Sequence, residues 1–390
     1  MSSRTRLWVL ATSTPIIAFV VIGGYLGQAL AKDDTYPHLR VFEEVIRLVL
    51  NNYVEPVDVD RAMRGAMNGL SDSLDSDSGY LTPELVRAYE SNAQPAAGDV
   101  GLVLTRQYYL RAVSVREGSP AAKAGIRIGD FVRAIDSRAT RDMTVFEGTR
   151  LLRGAPGSKV ALLVIRGNAA EPHTIDLVRE RAAATTADVT ARALESGVGY
   201  VRVPQFTRQT ATQLKQALDA QARAGSARHI IDVRGTALGD LDDGLAAARL
   251  FVKTGTLTVR ESKPNVKDTV SAQAGDGAFA APIMLLVDQG TSGAAEVFAA
   301  ALDGNQRAEL VGERTLGRAA RQRLVKLPDG SGLLLSNVRY LAPNGTSIHE
   351  RGLAPDLQVE QPEVDFGTVP PATDVTLQRA IERFARRPAA

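Results

Sequence analysis

Gly290-Thr291-Ser292-Gly293-Ala294-Ala295-Glu296 and Gly312-Glu313-Arg314-Thr315-Leu316-Gly317-Arg318-Ala319-Ala320-Arg321-Gln322 are the two stretches around which this chain is organised. Each is opened by glycine, and the first follows the apolar run Pro282–Val287. The end of a buried strand and the start of the next helix are where an α/β enzyme holds a nucleophile and its base, because free backbone N–H groups and the helix dipole converge there. Around these stretches strands and helices alternate from Val198 onward. Gly199–Val203, His229–Val233, Pro282–Val287 and Leu333–Tyr340 read as strands, and Thr207–Ala220 as a helix with Leu214, Ala217 and Leu218 inward. That alternation predicts a mainly parallel sheet with crossover helices.

Upstream, Asn92–Ala97 is a small-residue linker, and Gly98 to about Glu180 has its own rhythm. Strands are expected at Gly101–Thr105, Arg111–Arg116 and Lys159–Arg166. A helix follows the N-cap Ser119 with Pro120 at its start and Gly125 past its end, and another opens at Thr144-x-x-Glu147. Gly118-Ser119-Pro120-Ala121-Ala122-Lys123-Ala124-Gly125, with Gly129-Asp130 after it, resembles a PDZ domain. Such domains take an extended C-terminal peptide as an added strand. The resemblance makes Val100, Gly101, Leu102 and Val103 the loop that would hold its carboxylate.

Before the linker, Pro37–Tyr53 places Val41, Phe42, Val45, Ile46, Val49 and Leu50 on one helical stripe. A second helix opens at Asp58, and Thr82-Pro83 starts a third running towards Glu90. These helices are read as a packing cap or a dimerisation arm. Arg4 and Arg6 precede an uncharged run, Leu7–Ala31. It is long enough for a signal anchor, since about 20 apolar residues span a bilayer. Anchoring is preferred to cleavage after Ala29-Leu30-Ala31, and both put the rest of the chain outside the cytoplasm.

The two opening stretches, with Ser73-Leu74-Asp75-Ser76-Asp77-Ser78-Gly79-Tyr80-Leu81, resemble the C-terminal processing peptidases, PDZ-containing serine peptidases with a Ser–Lys dyad. In that family the stretches read like Gly-Thr-Ala-Ser-Ala-Ser-Glu, Gly-Glu-Lys-Thr-Phe-Gly-Lys-Gly-x-x-Gln and Ser-Leu-Asp-Pro-His-Ser-x-Tyr-Leu. Pro343-Asn344-Gly345-Thr346-Ser347-Ile348 and Gly352-Leu353-Ala354-Pro355-Asp356 also match its pattern. The resemblance runs from about Phe42 to Glu360 and implies an α+β multidomain chain. Its parts would be a signal anchor or signal peptide (1–32), a helical region (33–97), a PDZ domain (98–182), a peptidase-like α/β core (183–365) and a C-terminal tail (366–390). The tail holds one expected helix, Asp374–Arg386.

The same alignment puts Gly293 at the nucleophile position and Arg318 at the base position. Gln322 falls on an orienting glutamine, and Leu238 supplies the backbone N–H of the oxyanion hole. Glycine has no hydroxyl to acylate, and a guanidinium stays protonated and cannot accept a proton. The family's Asn-Asn-Pro-Gly-Gly turn has become Gly235-Thr236-Ala237-Leu238-Gly239. The expectation is therefore a noncatalytic relative that binds C-terminal tails or an active paralogue. A second reading keeps proteolysis, with Ser292 as a displaced nucleophile and a base that the sequence does not identify. A third is a structural envelope protein with a closed groove. Ser292 is otherwise expected to cap the helix starting near Gly293.

Composition narrows the rest. With 390 residues, 44% hydrophobic and 23% charged, the chain can build more than one core. A net charge of +2 gives no footprint for nucleic acid. The absence of cysteine excludes disulfides, thiolate metal sites and a cysteine nucleophile. The four histidines, His38, His173, His229 and His349, never fall at metal-ligand spacing, and no metal or other cofactor is expected.

Overall fold

A computed structural model describes residues 35–91, 96–167, 171–181, 189–194, 197–263, 266–362, 364–368, 371 and 373–386. The run Leu7–Ala31 lies outside them. Among the described residues no helix is long and apolar enough to cross a membrane. The chain divides into two units, Met1–Arg64 and Gly65–Ala390, with the boundary inside the helix Val59–Asp72. In the first unit the helix Thr35–Asn52 leaves Leu39, Phe42, Val45 and Val49 exposed.

In the second unit the central sheet has six strands in the order Thr190–Ala193, Val198–Arg202, Arg228–Asp232, Ile283–Val287, Ala308–Gly312 and Leu357–Gln358. The first pair is antiparallel and the others are parallel. Both faces are covered, which is why Ile283–Val287 is an unbroken apolar run and buried throughout. Ile231, Leu285 and Val287 pack with Leu218, Leu245 and Phe298 from three helices on one side. Their alternates Ile230, Met284 and Leu286 pack with Leu377, Ala380 and Phe384 of the helix Val375–Arg386 on the other. The C-terminal helix expected in a tail is thus part of the core.

A second, antiparallel sheet runs Gly79–Leu81, Gly332–Leu341, Thr256–Lys263 and Val266–Ser271, with Ala320–Lys326 also paired to Gly332–Leu341. It was not foreseen as a separate layer, because its long hairpin strands alternate only weakly. It matters for the site, since the stretch that carries Arg318 leads directly into Ala320–Lys326.

The PDZ sheet is ordered Leu102–Gln107, Tyr109–Val115, Phe131–Ile135, Lys159–Ile165 and His173–Val178. Leu104, Leu110, Val132, Leu162 and Val164 are fully buried on one face. Thr144 caps the helix Val145–Leu152 by accepting from Glu147 N–H at 3.1 Å. That helix packs beside the edge strand Leu102–Gln107, where Gly148 leaves room for Leu110; a Cβ there would lie 2.2 Å from Leu110 Cδ1. The PDZ domain touches the core through Ser114 Oγ, which donates to Gly235 O at 2.6 Å, and through Gly290 against the Val113 carbonyl. The segment after Asp365 continues this link. Phe366 stacks on His173 under the Arg166 guanidinium, and Arg127 donates to Thr368 O at 3.0 Å.

Candidate functional site

The parallel strand Ile283–Val287 ends in a turn that delivers the chain to the helix Ala294–Gly304. Thr291 fixes this turn: its hydroxyl donates to Val233 O at 2.9 Å and accepts from Asp288 N–H at 3.0 Å. Gly293 is the N-cap, with φ 63° and ψ −120°. This is the sharp strand-to-helix conformation in which a nucleophile is presented at a helix tip. A Cβ built on Gly293 would meet nothing nearer than Leu241 Cδ2 at 3.9 Å. The position therefore has room for a side chain and backbone strain as its only obstacle.

Glu296, fully buried, ties the two motif stretches together. It accepts from Gly293 N–H at 3.1 Å, Gly317 N–H at 2.6 Å, Arg318 N–H at 2.7 Å and the Thr315 hydroxyl. Burial raises its pKa, and these four donors oppose the rise. The carboxylate satisfies the amide of the N-cap Gly293, the part that an N3 glutamate plays in a capping box. Ser292 does not cap the helix: its amide donates to Thr236 O at 3.0 Å, and its buried hydroxyl has no hydrogen-bond partner. Among the described residues no base lies within hydrogen-bonding distance of Ser292 Oγ.

Arg318 closes the arrangement. Its Nε donates to Asp77 Oδ2 at 2.8 Å and its Nη2 lies 2.8 Å from Oδ1, a bidentate pair with both side chains mostly buried. Nη1 donates to Leu104 O at 3.3 Å, on the PDZ edge strand. Burial pushes the guanidinium pKa down, but Asp77, Glu296 and Asp75 outweigh this and hold it above the ordinary value. It is a fixed cation. Gln322 donates from Nε2 to the Asp77 carbonyl, so the glutamine braces the loop that carries Arg318's partner. Asp77 was not singled out from the sequence. The signal was there: it stands where the family hallmark reads histidine, while Arg318 stands where the family reads lysine. In the folded chain the two form one ion pair.

Ser292, Gly293, Arg318, Arg321, Gln322 and Asp77 line one cleft of about 230 Å³. Leu238 stands near its rim, half exposed, with its carbonyl accepting from Phe206 N–H at 2.9 Å. The turn around it is held by two glycines at positive φ, Gly235 at 61° and Gly239 at 136°. A Cβ at Gly239 would sit 2.4 Å from the Phe206 carbonyl oxygen. His229 is fully buried, with its pKa pushed down to about 4, and His349 lies beside Asp75; neither meets Ser292.

The loop Val100–Val103 is where the PDZ edge strand begins. Val100 is fully buried, and its carbonyl accepts from Ala121 N–H at 3.0 Å. Gly101, at φ 80°, accepts from Arg116 N–H at 2.8 Å, and Leu102 and Val103 pair with Val115 and Ser114.

Residues 197–359 match peptidase family S41, and residues 111–166 match a PDZ domain. A carboxyl-terminal-processing protease of Picosynechococcus is 31% identical over 306 residues, spanning 77% of this chain and 74% of that one. The chain belongs to peptidase family S41. The carboxy-terminal-processing protease of Bartonella bacilliformis is 29% identical over 362 residues, spanning 89% of this chain and 83% of its own. A solved structure, the photosystem II D1 C-terminal processing protease, superposes with a TM-score of 0.68 at 29% identity, over 81% of this chain and 86% of that one. The S41 match encloses Ser292, Gly293, Arg318 and Gln322, so most of the cleft lies in the matched peptidase region and Asp77 reaches it from outside.

Proposed function

We propose that this S41 chain is a noncatalytic member that binds peptide tails or a partner protein on the extracytoplasmic side of a membrane. The observation that carries the proposal is the bidentate Arg318–Asp77 pair facing a helix tip whose residue is Gly293. Amide hydrolysis by a Ser–Lys mechanism needs a hydroxyl to attack and an amine that can be neutral. Here the first position is empty of side chain, and the second carries a charge locked to a carboxylate. What survives suits binding: an edge strand beside a helix can accept an extended peptide by backbone pairing. Arg318 bonds both this edge and Asp77, so an arriving tail would meet the altered cleft directly. Membrane attachment through Leu7–Ala31, and an active paralogue as partner, belong to the same proposal.

The test is incubation of the full chain with an unstructured protein substrate and with a fluorophosphonate probe. No cleavage and no labelling are expected. Labelling that disappears on Ser292→Ala would overturn the proposal in favour of a displaced serine nucleophile. Gly293→Ser combined with Arg318→Lys and Asp77→His should gain labelling at residue 293, because the frame and the space for Cβ are present. Gly293→Ser alone should not, since Arg318 remains a cation.

A further inference from the structure

We infer that the outer face of the PDZ sheet is a docking site for a peptide segment that sets an aromatic or large aliphatic side chain between carboxylates. The site is a depression of about 480 Å³ lined by Gln107, Tyr108, Tyr109, Phe131, Arg133 and Ile165. Phe131, Arg133 and Ile165 alternate along their strands with buried Val132 and Val164. They therefore lie on the sheet face opposite the PDZ core, away from the groove between the edge strand and helix Val145–Leu152. The inference depends on neither that groove nor the loss of the dyad.

Two features give the depression a ligand chemistry. The first is an apolar wall built from rings. Tyr108 and Tyr109 meet edge to face with centroids 5.0 Å apart, and Tyr108 is 63% exposed at the tip of its hairpin. Tyr108 also holds φ 66°, a region bulky residues avoid. A glycine would relieve that strain, yet the ring is kept where it faces solvent. The second feature is charge. Arg133 lies over the Tyr109 ring at 4.9 Å and donates to its hydroxyl at 3.0 Å; Arg141 lies over Tyr108 at 4.7 Å. Neither arginine forms an ion pair among the described residues, whereas Arg106, Arg116, Arg166 and Arg318 all do.

A guanidinium over a ring keeps its remaining N–H groups for a carboxylate, and Arg133 spends only one Nη on the Tyr109 hydroxyl. An apolar depression flanked by two such groups complements an apolar side chain with acidic neighbours. Its volume is in the range of ligand pockets. The concave shape favours one inserted side chain over the flat surface of an anionic bilayer.

The experiment titrates the full chain into a labelled, C-terminally amidated peptide with Asp-Phe-Glu at its centre, read by fluorescence anisotropy. Amidation removes the carboxylate that a PDZ groove would capture. Saturable binding is expected, weakening as salt rises. The Asn-Phe-Gln and Asp-Ala-Glu peptides should each bind at least tenfold more weakly. Arg133→Gln with Arg141→Gln should lose a similar factor, as should Tyr108→Gly, whose melting temperature should equal or exceed that of the native chain. The proposal is overturned if no saturable binding occurs, if the amide peptide binds as well as the acidic one, or if Tyr108→Gly binds like the native chain. It is equally overturned if phosphatidylglycerol vesicles, and not the peptide, bind in a Tyr108-dependent way.

Discussion

Arg318 and Asp77 are 241 residues apart in sequence and meet as a mostly buried ion pair that lines the cleft. Removing one partner of a mostly buried ion pair strands the other charge. Arg318→Ala and Asp77→Ala should each cost about 3 kcal/mol, the lower end of the usual range because a fifth of the guanidinium side chain is exposed. The double variant should cost less than the sum, with a coupling of at least about 1 kcal/mol in urea unfolding. Strict additivity would show that the pair is not an energetic unit. Beside it, His349 Nε2 lies 3.6 Å from Asp75 Oδ2, both nearly buried. Burial pushes the imidazole pKa down, but Asp75, Asp77 and Glu350 outweigh it, and the net shift is upward. Burial pushes Asp75 up, but the imidazole of His349 beside it and bonds from Ser78 and the Asp77 amide carry it well below the carboxylate range. The raised imidazole therefore stabilises the fold fully below about pH 6.5 and loses that contribution as pH climbs through its folded-state value. The depressed carboxylate contributes above about pH 3.9 and fades only as pH falls further. The native chain should lose stability relative to His349→Asn as pH rises from about 6.5 through the raised folded-state value of the imidazole. A difference in urea midpoints that does not change with pH would remove His349 from the account.

At the scale of elements, the local signals in the chain were strong where they were chemical. Thr82, Ser119 and Thr144 each cap the helix their spacing announced. A cap is settled within one turn, so a few residues suffice to predict it. Ser292 failed the same test because Gly293 takes the N-cap position, which leaves Ser292 one residue outside the helix with its own amide bonded to Thr236 O. Gly290 shows the reverse case, a residue whose reason lies in another domain. A Cβ there would come within 2.5 Å of the Val113 carbonyl oxygen and 3.0 Å of Gly235 Cα, both backbone atoms that cannot swing aside. Gly290→Ala should cost about 1–3 kcal/mol by overpacking and loosen the PDZ–core contact. Hydrogen exchange should accelerate at residues 111–116 and 234–236; unchanged protection at both would show that the contact adjusts.

For the whole molecule, the C-terminal helix is the element whose removal is expected to matter most. Arg234 binds Asp232 and Asp374 together, and Asp374 accepts from Leu377 N–H at 3.0 Å as it opens the helix. Burying Leu377 and Phe384 stabilises by roughly 1.5–3 kcal/mol each, and their loss would bare Ile230, Met284, Leu286 and Val311. A chain ending at Gln361 should aggregate or bind a hydrophobic dye strongly. A soluble, dye-silent product would mean that this sheet face needs no cover.

The residues alone indicated a PDZ region ahead of an α/β core, most of the helix starts, the buried parallel strands and the two stretches that carry Gly293 and Arg318. These follow from period, caps and aligned motifs, all of which are short-range. They could not establish which group Arg318 pairs with, because ion-pair partners are chosen by proximity in space, and Asp77 lies 241 residues away in the chain. Nor could they show that Glu296 joins both motif stretches or that Tyr108 and Tyr109 stand beneath Arg141 and Arg133. Packing brings such groups together after each local element is already determined. Only the folded chain decided them.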